Sequence, residues 1–563
     1  MFTHLILLFL LLLLPFLLFY LLDRSRHFRY QQYAAWPQLP PSLVWGHMKA
    51  MHEFISRGDA KRHIDIVFLE IRKYMGNPPL MFFDLRPLQQ PLCVVGSHEI
   101  AEQISKSTKA FPYSMSKSPT MWQLAPLLGP HSILTAEGEQ WKALRKRFNS
   151  GFAHHHLMTL LPCILDKAGR FVEILDGYAR SGEEFALDEP CVSLTFDIIG
   201  AVTMDTDLRA QLGPEQQSEI VCLYRQLTST YQRDAGNSIR WDFLNLGVKR
   251  ERRALARRID TLITDHIQAK FTEYKAQSDD KPARSILSLS LQDVEHLDAQ
   301  VLQETCDQLK SFLFAGHDTT SIVLQWTFYE LSRTPRVLDM LRRELDEIFG
   351  AGTSAAVVQE KLLAPGGGDI LRQMSYTSAV IKEILRLYPP SGTARYMPPG
   401  KGFTVQLPDG SPLCLDGVII YSCATLVHRD EAVYGPTKDE FVPERWLGDT
   451  DTGPGLMDEK RNGPDATGQI PVSAWRAFER GPRNCIGQEL ANIEARVILA
   501  CTARRFDFEK MGQGALARDA SGEPILNARG QYEVESELFN TMKVTAKPVD
   551  GTRMKVRLAA TSG

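Results

Sequence analysis

The chain has 563 residues, of which 44% are hydrophobic, so it is long enough and apolar enough to bury a large core. Its formal net charge of −3 excludes the strongly basic surface that is typical of nucleic-acid-binding proteins. The nine cysteines are dispersed without a Cys-x-x-Cys pair, which argues against a zinc site of the usual spacing and favours reduced thiols.

The N-terminus begins with an uninterrupted apolar run from Leu5 to Leu22. At about 1.5 Å per residue, eighteen helical residues roughly cross the hydrocarbon layer of a bilayer. A cleaved signal peptide is the competing interpretation, but its apolar region is usually shorter and ends in small residues. Here the run leads into Arg24, Arg26 and Arg29, a basic flank that keeps the following domain on the cytosolic side. The sequence therefore predicts a single transmembrane helix over residues 1–23.

Residues 24–47 form a basic and proline-rich segment, with prolines at positions 37, 40 and 41. Proline fixes the backbone in extended conformations, so a stiff hinge is expected between the anchor and the globular part. Further along, the alternating apolar pattern of residues 79–96 predicts two strands joined by a turn. Ser97 is placed to cap the helix that follows. Residues 111–139 show little periodicity and predict a long functional loop.

The segment WKALRKRF starts at Trp141 and predicts a short amphipathic helix. Trp141 and Arg145 are four residues apart and so share one face. A solvated surface helix explains the other basic residues of the segment equally well.

A long helix is predicted from Asp298 to Arg333, with the sequence FLFAGHDTTS at its centre. Gly316 costs about 1 kcal/mol relative to alanine in mid-helix, which suggests that something approaches the backbone closely there. Ala315 and Thr319 are four residues apart on one face, and Asp318 is adjacent. A buried helix whose threonines bond back to its own carbonyls is the alternative.

A second amphipathic helix is predicted from Tyr376 to Leu387, ended by two prolines. Glu383 and Arg386 are three residues apart and form a pair on one face. Downstream follow the segment SGTARY, which contains Arg395, and the segment PERW, which contains Arg445. The stretch 447–475 is rich in glycine, aspartate and proline and is expected to be a solvated surface loop.

The segment FERGPRNCIG carries one cysteine between two glycines. Glycines on both sides let the backbone turn tightly and approach a flat, bulky ligand. The arginine supplies a positive charge that favours the thiolate. A buried structural cysteine is the alternative. The residues of interest are Phe478, Gly481, Arg483, Cys485 and Gly487.

The pattern Phe-x-x-Gly-x-Arg-x-Cys-x-Gly resembles the heme signature of the cytochrome P-450 family. Three further motifs stand in the family order: Ala-Gly-x-Asp-Thr, Glu-x-x-Arg and Pro-Glu-Arg. The resemblance implies a mainly α fold with small β-sheets. It implies a single large heme-binding domain over residues 48–563, behind an N-terminal transmembrane helix.

The resemblance also implies roles for single residues. Cys485 ligates the iron of heme b as a thiolate, in the loop formed by Phe478, Gly481, Arg483 and Gly487. Trp141, Arg145 and Arg395 contact the heme propionates. Ala315 leaves room for dioxygen above the iron, while Thr319 and Asp318 relay protons. A structural ion network locks the core and comprises Glu383, Arg386 and Arg445.

As a member of this family, the chain is expected to be an oxidoreductase that inserts one oxygen atom from O₂ into an apolar small molecule. It has no Gly-rich dinucleotide fingerprint, so NADPH electrons are expected through a separate cytochrome P-450 reductase, with cytochrome b5 as a further donor. Arg476 and Arg480 are candidates to meet such a partner. The expected location is the endoplasmic reticulum membrane, with the catalytic domain on the cytosolic side.

The chain looks most like fungal members of the family, which implies a tailoring step on a polyketide, terpenoid or alkaloid. Hydroxylation of fatty acids or alkanes is one alternative. A heme-thiolate isomerase or dehydratase that does not use O₂ is another, and a non-enzymatic heme or gas sensor is a third.

Overall fold

The fold is mainly helical in the computed structural model, which describes residues 2–235, 245–276, 285–449 and 470–560. The described helices are α1 (Phe2–Arg26), α2 (Met48–Ile55), α3 (Ile64–Tyr74), α4 (His98–Ser105), α5 (Ala125–Leu128), α6 (Gly138–Asn149), α7 (His154–Thr159), α8 (Leu161–Ser181), α9 (Asp188–Met204), α10 (Glu219–Ala235), α11 (Leu246–Ala276), α12 (Ile286–Ser290), α13 (Ala299–Arg333), α14 (Pro335–Phe349), α15 (Ala355–Leu363), α16 (Gly367–Gln373), α17 (Ser375–Leu387), α18 (Ala424–His428), α19 (Glu431–Tyr434) and α20 (Gln488–Thr502). The predicted fold class, mainly α with small sheets, is confirmed.

The strands are short and form small sheets. They are β1 (Leu80–Phe83), β2 (Leu92–Val95), β3 (Phe185–Ala186), β4 (Thr393–Tyr396), β5 (Thr404–Gln406), β6 (Pro412–Cys414), β7 (Ile419–Ser422), β8 (Phe506–Lys510), β9 (Asn540–Met542), β10 (Ala546–Pro548) and β11 (Arg553–Leu558). The largest sheet has the order β1-β2-β7-β4, with β2 and β7 parallel. A second sheet has the order β3-β11-β8, and two hairpins, β5-β6 and β9-β10, stand apart.

The strand pair expected within residues 79–96 is present as β1 and β2, which pair antiparallel. Ser97 caps α4 as predicted, because its hydroxyl accepts the backbone N–H of Ile100 at 3.2 Å. The sheet that these strands begin supplies β4 and β7 to the wall of the central cavity.

Helix α13 runs through the core and organises the fold. Asp298, where the predicted helix starts, caps it by accepting the N–H of Val301 at 2.8 Å. Helix α9 packs against it so closely that a Cβ at Gly316 would lie 2.6 Å from two side-chain carbons of Ile199. The glycine therefore allows the close approach that its cost in mid-helix suggested.

The N-terminal segment forms helix α1, and Arg29, which follows it, binds residues of the globular domain. Arg29 is only 9% exposed; its guanidinium forms an ion pair with Asp84 at 2.6 Å and donates to the carbonyls of Leu43 and Val44. Within the part of the chain that the structure describes, no helix combines the length and the apolar character that crossing a bilayer requires. The predicted membrane-spanning segment is not supported by this finding and stays a prediction.

All nine cysteines are free, in agreement with the expected reduced thiols. Most of the predicted surface loop at 447–475 lies outside the described residues, because the description stops at 449 and resumes at 470.

Candidate active site

A cavity of about 490 Å³ lies between α13 and the loop that precedes α20. On the α13 side it is lined by Phe314, Ala315 and Thr319, and on the loop side by Phe478 and Cys485. The structure thus brings together two motifs that are separated by more than 150 residues in the sequence.

The loop before α20 has a defined backbone that aims the cysteine inward. The N–H of Cys485 donates to the carbonyl of Phe478 at 2.9 Å, and the N–H of Asn484 donates to that of Gly481 at 3.1 Å. Gly481 has φ of +75°, and a Cβ there would lie 2.1 Å from the carbonyl oxygen of Ser105. Cys485 is exposed by surface area, yet protein surrounds it, because the surface it exposes faces the cavity.

Two effects oppose each other at the Cys485 thiol. Burial raises its pKa, and the backbone N–H groups of the following residues and the charges of Arg145 and Lys117 lower it in part. The sequence predicted that Arg483 would keep the sulfur ionised, but this arginine forms an ion pair with Glu137 at 2.6 Å instead. A metal bound to the sulfur would deprotonate it outright.

Four cations line the cavity, namely Lys117, Arg145, Arg476 and Arg483, and Arg395 lies next to Lys117, with which it forms a β-bridge. Arg145 donates to the carbonyl and to the side-chain oxygen of Asn484 at 2.7 and 2.9 Å, so it braces the cysteine loop. Arg395 is fully buried and donates to the carbonyl of Met115 at 3.1 Å, while its Nε and Nη2 have no partner within the described residues. Burial lowers the pKa of Arg395 to about 10.

Trp141 and Lys117 also line this cavity. The guanidinium of Arg483 lies 5.0 Å from the ring centre of the buried Trp141. Lys117 lines the cavity and donates to the hydroxyl of Thr393 at 2.9 Å. Burial and the charge of Arg395 hold the pKa of Lys117 well below its usual value.

These residues fit heme. Buried N–H groups of arginine without a partner cost free energy, and a ligand with carboxylates satisfies them. Gly487 lines the same cavity, and a Cβ there would lie 3.9 Å from the sulfur of Cys485, on the surface that a flat macrocycle would cover. A thiolate donor opposite an apolar helix face, with cations lining the same cavity, suits a porphyrin with two propionates.

On α13 the predicted acid and alcohol face different cavities. Thr319 lines the central cavity, and its hydroxyl donates to the carbonyl of Ala315 at 2.8 Å, which is the back-bonded arrangement weighed as the alternative. Asp318 lines a separate side cavity, where it forms an ion pair with Lys547 at 2.8 Å. Its side-chain hydrogen bonds in the described part of the chain run to Lys547 and Thr545, not to Thr319.

The predicted ion network is assembled below the cavity. Glu383 is fully buried and accepts from Arg386 at 2.8 and 2.9 Å and from Arg445 at 3.0 Å. The indole N–H of Trp446 also donates to Glu383, at 2.9 Å. The network therefore has a fourth member that the charge pattern alone did not indicate.

Three site residues escaped the sequence analysis. Lys117 lies in the loop without periodicity, and Lys547 lies near the C-terminus, where no motif marks it. Glu494, on α20, lines the central cavity, and burial raises its pKa to about 8. The sequence did carry a signal, because this acid lies nine positions after the cysteine and stands between the apolar Ile493 and Ala495.

Comparisons with known proteins agree with this geometry. The sequence profile for Cytochrome P450 matches residues 39–534. The chain is 33% identical to Cytochrome P450 monooxygenase acrF of Aspergillus aculeatus, over 84% of this chain and 93% of that protein. It is 27% identical to Cytochrome P450 monooxygenase polC of Polytolypa hystricis, over 86% and 84%. It is 25% identical to human Cytochrome P450 4V2, over 84% and 85%.

Proposed function

The chain belongs to the cytochrome P450 family and is a monooxygenase, and we propose that it inserts one oxygen atom from O₂ into an apolar small molecule during secondary-metabolite biosynthesis. The observation that carries the proposal is the sulfur of Cys485, which faces the central cavity from a glycine-bounded loop. Heme bound through a thiolate supplies the reductive activation of O₂. The protein supplies the ligand, the proton path and the shape of the cavity.

In this proposal, Cys485 is the iron ligand. Arg145 and Lys117, which line the cavity, and Arg395, whose Nε and Nη2 have no partner among the described residues, would hold the propionates. Arg483 and Trp141 line the same cavity and pack against each other. Ala315, the smallest side chain on the cavity face of α13, leaves space above the macrocycle, and the hydroxyl of Thr319 is available there as a hydrogen-bonding group.

The substrate is proposed to be apolar because the distal wall of the cavity is largely apolar. Aliphatic and aromatic side chains from the long loop and from α13 form this wall, namely Met121, Leu124, Leu128, Ile133, Phe314 and Val323. Such a wall stabilises apolar ligands by burial and orients them with few polar contacts. A polyketide, terpenoid or alkaloid skeleton meets this description, and the likeness to two fungal monooxygenases supports a tailoring step.

Electrons are proposed to come from NADPH through a separate cytochrome P450 reductase, with cytochrome b5 as a further donor. Of the two arginines expected to meet this partner, one is buried. Arg476 is only 5% exposed and is bound to Glu102 and Glu479, and Arg480 is bound to Glu102 at 2.9 Å. Arg476 is therefore held inside the protein, where it also lines the central cavity. Attachment to the endoplasmic reticulum membrane through the run Leu5–Leu22 is proposed from the sequence alone.

The test of heme-thiolate ligation is the difference spectrum of the reduced protein with carbon monoxide. We expect C485S to lose the thiolate-type spectrum. The matched control C414S changes an exposed cysteine of β6 and should keep it. A thiolate-type spectrum in C485S would refute the proposal. For the substrate, metabolite profiling of a deletion strain should show an accumulating apolar precursor, and an unchanged profile would contradict the tailoring role.

A further inference from the structure

The acid of α13 is controlled by a distant part of the chain, the C-terminal hairpin made of β9, β10 and the turn 543–545. Lys547 in β10 binds Asp318 at 2.8 Å and approaches Asp188, at the start of α9, at 3.5 Å. The hydroxyl of Thr545 donates to the other carboxylate oxygen of Asp318. Both oxygens of this buried carboxylate are thus occupied by hairpin residues.

The hairpin lies between two cavities. Thr545 and Val544 line the central cavity and also the side cavity, which has a volume of about 300 Å³. Asp318 and Lys547 line only the side cavity. The hydroxyl of Thr545 is therefore a polar group on the partition between the two spaces, bonded to the acid on one side.

Helix geometry explains why a bridge is needed. Successive residues of an α-helix are about 100° apart, so Asp318 and Thr319 point to different faces of α13. The structure shows this separation, since Thr319 lines the central cavity and bonds back to Ala315. A proton on Asp318 has no direct hydrogen bond toward Thr319 among the described residues.

We propose that the C-terminal hairpin forms the proton entrance of the central cavity: Lys547 holds Asp318 as an anion in the side cavity, and the Thr545 hydroxyl passes protons from that carboxylate inward. This inference rests on the proposed monooxygenase function and names further residues for it. Lys547 is a positioning residue, because it acts on the reaction only through Asp318.

The transfer balances without any change of oxidation state. The carboxylate of Asp318 takes a proton from a hydronium ion in the side cavity, which leaves a water molecule there. The Thr545 hydroxyl then turns its O–H from Asp318 toward the central cavity and passes that proton to an acceptor there, while its oxygen takes the proton of the Asp318 carboxyl. This leaves the carboxylate with the Thr545 O–H directed at it, as at the start, so the net result is one proton moved from the side cavity to the central cavity.

The electrostatics support an ionised acid. Burial raises the pKa of Asp318, but the charge of Lys547, together with His317 and Thr545, outweighs burial and leaves the pKa below its ordinary value. The ionisable residues that line the side cavity around Asp318 come from four elements, and they are Asp188 and Glu189 of α9, Arg225 of α10, His317 of α13, and Lys543 and Lys547 of the hairpin. Lys547 is the one that contacts the carboxylate.

An infrared titration of the holoprotein tests the role of Lys547. In K547M the protonated-carboxyl absorption of Asp318 should appear at a higher pH than in the parent protein. Burial would still raise the pKa of Asp318, but the positive charge of Lys547 that lowers it would be gone. The double variant K547M/D318N should lack this absorption, which separates it from that of Glu494. K547R should return the titration toward that of the parent. An identical titration in K547M and the parent would overturn the role assigned to Lys547.

The role of Thr545 is tested by NADPH oxidation with purified cytochrome P450 reductase and dodecane as an apolar probe. We expect T545V to oxidise NADPH about a hundredfold more slowly, with a larger solvent isotope effect, because a group in a proton path is lost. T545S keeps the hydroxyl and should rescue both values. The matched control T502V removes a buried hydroxyl of α20 that donates to the carbonyl of Ile498 at 2.7 Å and lines neither cavity, so it should leave the isotope effect unchanged.

Unchanged rate and isotope effect in T545V would overturn the proton path. If T545V does not fold, T545A makes the same test with a smaller side chain. The carbon monoxide spectrum separates this inference from the proposed function. A parent protein without a thiolate-type spectrum refutes the monooxygenase, whereas a normal spectrum with an unaffected T545V refutes only the role of the hairpin.

Discussion

Replacing Glu383 by glutamine should destabilise the protein more than any change to a surface ion pair. The carboxylate is fully buried and accepts five hydrogen bonds on two oxygens, from Arg386, Arg445, Trp446 and the backbone N–H of Val442. Glutamine offers one accepting oxygen, and its NH₂ would face donors. Two guanidiniums would then lack a counter-charge at a site closed to water.

Breaking a buried ion pair by removing one partner costs about 3–5 kcal/mol. We therefore expect E383Q to lose about that much free energy of unfolding, measured by denaturant titration. The control is E431Q, which removes an exposed pair with Lys438 and should cost at most about 1 kcal/mol. Equal midpoints for the two variants would refute the reasoning, since they would show that the buried network contributes no more than a surface pair.

Two further predictions concern α13 and α20. In G316A the new methyl group would lie 2.6 Å from side-chain carbons of Ile199. Such overpacking costs about 1–3 kcal/mol, whereas replacing glycine by alanine in mid-helix gains about 1 kcal/mol. We therefore expect G316A to unfold at a lower denaturant concentration than the parent protein. The control is G169A in α8, where a Cβ meets nothing within 4 Å, and this variant should be more stable than the parent protein. If G316A and G169A were both more stable, the predicted clash between the new methyl group and Ile199 would be refuted. Burial raises the pKa of Glu494 from 4.5 to about 8, so its contribution to stability is present below pH 4.5 and is lost as the pH rises through about 8. E494Q should remove that slope from thermal unfolding measured across the same range, and an unchanged slope would show that Glu494 is ionised in the folded protein.

The parts of the site that a single helix fixes were predictable from the sequence. Glu383 and Arg386 are three residues apart on α17, and this spacing places them on one face of the helix. Ala315 and Thr319 are four residues apart on α13 and share a face for the same reason. The cysteine loop was predictable for a related reason, because glycine at position 481 is required by the local backbone. In each case the information lies within a few residues of the chain.

The partners that come from distant segments were not predictable. Arg483 was expected to act on the sulfur but is bound to Glu137, which lies 346 residues away. Arg476 was expected on the surface, yet Glu102 and the hydroxyl of Ser105 bury it. A charge pattern shows that an arginine is available, but the tertiary fold decides which carboxylate it meets.

Asp318 and Thr319 are adjacent in the sequence motif, but their side chains point in different directions from the helix. Asp318 and Thr319 are about 100° apart around the helix and line different cavities, so this acid needs a third group if protons are to pass between the two sides. The structure supplies Thr545 at that position, on the partition between the cavities and bonded to the acid. Because Val544 and Ala546 of the same hairpin line the central cavity, a molecule held there touches the segment that holds the acid. The hairpin thus contributes both to the wall of the central cavity and to the hydrogen bonds of the acid, so a substitution at residues 544–546 should alter substrate binding and proton supply together.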